Sequence, residues 1–174
     1  MISLINVFWM YIILFAFIGF LRGWAKELLV GFAVVVAIAF NMLLERYALP
    51  KEMVGANTTL FWIRTIILAS LVFFGYQTVI SIARFQAAGR RERLQDSLFG
   101  LFLGALNGYL VMGTFWAYWH AADYPPGDIV QGGGAVVNRA IETMMDYMPP
   151  HLLGEPAIYF AVIIILIFIL VVYV

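Results

Sequence analysis

The chain alternates long apolar runs with short polar breaks, and the breaks divide it into five stretches of membrane-crossing length. Residues 2–21 are apolar apart from Ser3 and Asn6 near the start, which predicts a first transmembrane helix. Arg22, Lys26 and Glu27 interrupt the run, and 28–44 is apolar again except for Asn41, so the first two helices form a tight hairpin. From Glu45 to Thr59 the chain turns polar, with Pro50, Gly55 and Asn57 as turn and start signals. A third span is predicted over 60–83, with Arg64 about one turn in and Gln77 deeper. A basic loop, Arg84 to Gln95, leads to a fourth span over 98–119, closed by Trp116, Tyr118 and Trp119, aromatic residues that favour the headgroup level. Pro156 opens the fifth span, 157–174, which carries no charge and at 1.5 Å per residue extends about 27 Å, just enough to cross.

One periodic segment is too short to cross. Over 135–148, Val137, Ile141, Met144, Met145 and Met148 recur at helical spacing opposite Asn138, Arg139, Glu142 and Asp146. This predicts an amphipathic helix that lies flat on a membrane or caps the bundle. The preceding stretch, Ala121 to Gly134, holds Pro125, Pro126 and three successive glycines and reads as a loop.

Composition supports the same class. With 64% of residues hydrophobic and 11% charged, against about 25% charged in a soluble domain, there is no room for a separate soluble domain. The expected fold is an all-α polytopic membrane protein: one domain over 1–174, a four-helix core, a fifth transmembrane helix and an interfacial helix. The N-terminal run lacks the basic start and cleavage site of a signal peptide, so it is expected to stay as the first span. Placing the first and third connections inside puts Arg22, Lys26, Arg84, Arg90, Arg91 and Arg93 in the cytosol, six of the ten lysines and arginines. That bias predicts the N-terminus outside and the C-terminus inside.

The candidate residues are structural before they are chemical. Gly100, Gly104 and Gly108 recur at every fourth position, and Gly19 and Gly23 make a similar pair, so backbones can approach closely there. Packing of helix one on helix four and a seam between copies both use such faces. Arg22, Glu27 and Asp96 sit near the same helix ends, where an arginine paired with Asp96 or Glu27 would form a clasp. The pair as a gate or proton site is the sharper alternative. Arg64 can snorkel to the outer headgroups. Asn41, Gln77 and Asn107 can bond across helices or line a narrow aqueous path. With no cysteine and only two isolated histidines, His120 and His151, no metal site is expected. An interfacial histidine binding a chlorin or haem within a larger complex is an open alternative. No phosphate-cradling loop, paired nucleophile and base, or HExxH pair is present, and no enzyme is expected.

The segment Gly19-Phe-Leu-Arg22-Gly23-Trp-Ala-Lys-Glu27 resembles the GxxRGxxxE signature of the colicin V production protein (CvpA) family. Asp96-Ser-Leu-Phe-Gly100-Leu-Phe-Leu-Gly104-Ala-Leu-Asn107-Gly108 is similar to that family's second signature, an aspartate followed by GxxxGxxxG. The resemblance spans roughly residues 1–119. It departs at Asn107, where the family often has arginine, and in the added fifth helix. It implies a non-enzymatic protein of the bacterial inner membrane, associated with colicin V production or export and envelope physiology, acting as a small scaffold or conduit without cofactor. The signature positions carried over are Gly19, Arg22, Gly23, Glu27, Asp96, Gly100, Gly104 and Gly108. The expected partners are the lipid bilayer and other membrane proteins, or a second copy through the glycine faces, with no nucleic acid. The rival reading is an accessory subunit of a large respiratory or photosynthetic membrane complex, and a third is a channel formed by oligomers.

Overall fold

Every element among the described residues is helical. The computed structural model describes residues 4–48, 57–77, 90–125 and 135–173, except for the side chains of 90–93, 135–138 and 172–173. Arg84 and the glycine run at 132–134 lie outside the described residues, and so do the ends of the predicted first, third and fifth spans. The order is α1 (Leu4–Arg22), α2 (Trp24–Leu43), a π-helical turn (Leu44–Ala48) continuing α2, α3 (Thr58–Gln77) and α4 (Arg90–Ala121), then α5 (Ala135–Met145), α6 (Pro149–Leu152) and α7 (Ala157–Tyr173).

Four stretches are long and apolar enough to cross a membrane: Leu4–Arg22, Trp24–Ala48, Thr58–Gln77 and Leu94–Ala121. Two of these boundaries differ from the sequence reading. The polar break after α1 shrinks to one residue: Gly23, at φ 84°, takes the left-handed turn that other side chains resist, and α2 restarts at Trp24. The loop predicted to reach Gln95 is helical from Arg90. Arginine, glutamate, leucine and glutamine are good helix formers, so the charged residues extend α4 beyond its apolar part instead of ending it.

Burial shows which helices form the centre. Within their most apolar stretches α2 is 44% buried and α4 39%, against 11% for α1 and 17% for α3. α1 lies along α4, and α2 packs between α4, α3 and α7. The main core joins Val34, Val35, Ala37, Ile38 and Ala39 of α2 to Leu68, Leu110 and Ile158.

α5 turns Ile141 and Met145, followed by Met148, onto Phe8 of α1 and Trp116 of α4, so it covers one end of that pair. Gly113 of α4 provides the seat for Met148 and the start of α6. A Cβ there would stand 2.7 Å from Pro149 Cδ and 3.1 Å from Met148 Sδ. His151 lies in α6, whose first turn accepts two prolines because N–H groups there need no helical partner. α7 has 17 residues. Its second residue, Ile158, is fully buried in the main core, and Glu155 just before it pairs with Arg46 of the turn after α2.

Candidate functional site

Two polar layers sit at opposite ends of the α2–α4 seam. The first starts from Gly23. Its turn brings Arg22, the last residue of α1, beside the first turn of α2, where Arg22 Nη1 meets Glu27 Oε1 at 2.9 Å. Glu27 is fully buried, and a buried carboxylate is tolerated only with charge and hydrogen bonds around it. Asn107 of α4 supplies the rest: its Nδ2 donates to Glu27 Oε2 and to the Glu27 carbonyl, each at 2.8 Å. Arg22 also reaches α3, donating from Nη2 to the Tyr76 carbonyl at 3.1 Å, with its guanidinium carbon 4.3 Å from the Tyr76 ring centre. All four long helices therefore meet at one ion pair.

Of the two carboxylates open to Arg22 in the sequence reading, Glu27 takes the arginine. Asp96 does different work: its Oδ1 accepts the Trp24 backbone N–H at 3.1 Å. There it faces the unpaired donors and positive dipole end of α2. A Cβ on Gly23 would come 2.8 Å from Asp96 Oδ1 and displace that carboxylate, while the positive φ is what favours glycine there.

The glycine face is occupied within the chain. A Cβ on Gly19 would collide with the Gly100 carbonyl and stand 2.7 Å from Gly104 Cα, and one on Gly108 would stand 2.8 Å from Phe15 Cβ. α1 and α4 are in backbone contact along this face, as small residues allow.

The second layer lies toward the other end of the seam. Asn41 is buried and donates from Nδ2 to Tyr118 OH at 3.2 Å and to the Arg64 carbonyl at 3.4 Å. Arg64 turns back into the protein, pairing with Glu45 and holding its guanidinium carbon 5.2 Å from the Tyr118 ring centre. The π-helical turn after α2 carries Glu45 to this position, and it carries Arg46 to Glu155, whose other oxygen accepts the Tyr159 hydroxyl at 2.7 Å. Asn41 and Asn107 thus both face the α2–α4 seam, whereas Gln77 is exposed at the end of α3.

The histidines are apart from both layers. His120 Nδ1 lies 2.9 Å from Tyr124 OH, which also accepts from Trp116 Nε1 at 3.4 Å. Burial raises the Tyr124 phenol above its ordinary value, and the nearby Asp123 carboxylate adds to that. His151 is exposed on α6. The described residues contain no cluster of three or more histidine, aspartate or glutamate side chains able to hold a metal ion.

Sequence reasoning did not find Tyr76, Tyr118 or Glu45 as members of these layers, nor Asn107 as the partner of Glu27. A signal for part of it exists in the spacing: Glu27, Val34 and Asn41 repeat every seven residues on α2, and Asn107 and Thr114 do the same on α4. No family model, curated protein or solved structure matches the chain.

Proposed function

We propose that this chain is a multi-pass integral protein of the bacterial cytoplasmic membrane, of the colicin V production type, acting as a non-enzymatic scaffold or conduit. The observation that carries this reading is the convergence at Glu27. The two segments that resemble the family's signatures lie about 70 residues apart in sequence, and the fold brings them together. Gly23 meets Asp96, Gly19 meets Gly100 and Gly104, and Glu27 meets Asn107. The signature thus has one physical rationale: close backbone contact between α1 and α4, with a buried ion pair beside it.

Four long apolar helices support the membrane setting. α7 serves as the fifth span of this reading: its 17 residues carry no charge and extend about 25 Å. Arg22, Lys26 and the start of α4 share one end, which the positive-inside rule assigns to the cytosol, so the N-terminus lies outside.

The test is alkaline carbonate extraction combined with reporters fused after residues 50 and 87. Retention in the membrane with only the second reporter cytosolic supports the reading; release into the wash, or the opposite sidedness, removes it. The rival role, an accessory subunit of a large complex, has α7 in its favour, since α7 packs mainly on α2 and leaves Phe160, Ile164 and Val171 exposed. Native mass in mild detergent separates the two: a few copies of 19.6 kDa fit the self-contained protein, and a large particle with other chains fits the subunit.

A further inference from the structure

Tyr124 is folded back onto the helix it follows. Asp123 and Tyr124 both take left-handed backbone, at φ 58° and 54°, which residues other than glycine adopt at a cost and which persists where the surroundings hold it. The Tyr124 N–H bonds to the Trp119 carbonyl at 2.9 Å. Its ring stands edge-on to Trp119 and His120, with ring centres 5.2 and 5.4 Å away.

The hydrogen bonds around its hydroxyl run in one direction. An indole nitrogen only donates, so Trp116 Nε1, 3.4 Å away, donates to the phenol oxygen. The phenol's own proton is left for His120 Nδ1 at 2.9 Å, and His120 then carries its proton on Nε2.

This order decides where a lost electron comes to rest, because a phenol or an indole gives up an electron readily only when its proton can pass to a base. Trp119 Nε1 faces the Pro125 carbonyl at 3.0 Å and Trp116 Nε1 faces the phenol, and neither oxygen takes a proton near neutral pH. Tyr124 faces an imidazole. Other tyrosines are less well placed. The Tyr109 hydroxyl donates to a backbone carbonyl, and that of Tyr76 is buried without a partner. Tyr159 donates to the Glu155 carboxylate at 2.7 Å, a weaker base than imidazole.

We propose that Tyr124 is a redox-active tyrosine, the resting place of one-electron oxidation in this part of the protein, with His120 as its proton acceptor. A one-electron oxidant, a transition-metal complex or a radical, takes the electron from Tyr124 directly or through Trp119. The phenol O–H bond breaks, an N–H bond forms at His120 Nδ1, and a neutral phenoxyl radical stands beside an imidazolium. A reductant of the quinol or ascorbate class returns the electron, and the proton goes back to the phenol. What this spares lies next to it: Met145 and Met148 are buried with Trp116, and Met144 and Tyr124 pack against the same cluster. Oxidising those thioethers to sulfoxides would make the cap polar and disrupt its packing. The inference stands on this turn alone and does not depend on the membrane reading.

Flash oxidation of the full-length protein in detergent micelles by photogenerated ruthenium(III) tris-bipyridine tests this, read by electron paramagnetic resonance after freeze-quenching. The wild type should give a phenoxyl signal. Tyr124→Phe should lose most of it in favour of an indolyl signal, while Tyr159→Phe keeps it. His120→Gln, which still accepts a hydrogen bond through its amide oxygen but cannot take the proton, should lower the phenoxyl yield several-fold. No phenoxyl signal in the wild type, or a yield unchanged by Tyr124→Phe, overturns the site; an unchanged yield in His120→Gln overturns the role of His120. Peptide mapping after steady illumination reads the protection. Sulfoxide at Met144, Met145 and Met148 should rise several-fold in Tyr124→Phe, and equal levels in wild type and variant would overturn that part.

Discussion

Asn107 holds Glu27 twice, through its side-chain carboxylate and through its backbone carbonyl, each at 2.8 Å. One amide therefore fixes both the position of α2 along α4 and the rotamer of the buried acid. Asn107→Leu removes both bonds and leaves Glu27 Oε2 unpaired. The expected loss is about 1–3 kcal/mol, toward the upper end because the acceptor is charged. Thermal unfolding in detergent would show it as a lower midpoint, and an unchanged midpoint would mean that Asn107 is incidental.

The glycines differ in what they must avoid, and substitution should rank them. Gly19→Ala drives a methyl group into the Gly100 and Gly104 backbone, which has no flexible end to yield. Separation of α1 from α4 and a loss of about 1–3 kcal/mol are expected. Gly154→Ala meets only the His151 carbonyl at 3.4 Å and should stay within about 0.5 kcal/mol. Folded yield after extraction and the melting midpoint check both; equal behaviour would contradict the close α1–α4 contact.

Gly113 has a different role, since it seats Met148 and Pro149 and not another long helix. Gly113→Val should dislodge α5 and α6 while α1 to α4 stay assembled. Limited proteolysis should then cut faster between residues 122 and 156, with membrane retention unchanged. Loss of retention together with faster cutting would show that the cap is needed for the bundle itself.

Much of the fold is legible in the sequence because a run of apolar residues long enough to cross a bilayer leaves few other choices. The helix spacing of Gly100, Gly104 and Gly108 likewise marks a close-packed face without any knowledge of its partner. What was not legible depends on direction. Whether Arg22 turns to Glu27 or Asp96 is decided by the left-handed turn at Gly23, which aims the first N–H of α2 at Asp96 and leaves Glu27 free. Arg64, near the start of an apolar helix, has the length to reach headgroups. It turns inward because a π-helical turn places Glu45 beside it, and the apolar periodicity of α2 carries no trace of that turn. Tyr118, read as an interfacial aromatic, is buried as the partner of Asn41.

The phenol of Tyr124 offers a pH test outside the long helices. Its folded value is raised above 10.0 by burial first, with Asp123 adding to it. The folded protein thus holds this proton more tightly than the unfolded chain. The stabilisation is complete below pH 10 and is lost as pH rises through the folded value. Phenolate absorbance of wild type minus Tyr124→Phe should show a component titrating above that of an ordinary tyrosine, accompanied by a change in the fluorescence of Trp116. A component at or below the ordinary value would contradict the burial of the phenol, since the hydrogen bond that Trp116 donates acts in the opposite, lowering direction.

The central claim is that the Arg22–Glu27 pair ties the four long helices together, and a double-mutant cycle on folding stability in detergent tests it most directly. Arg22→Met and Glu27→Leu should each cost about 3–5 kcal/mol, because each strands a charge in the interior. The double variant should cost no more than either single change, giving a coupling of several kcal/mol. Additive losses, or single variants as stable as the wild type, would contradict the account.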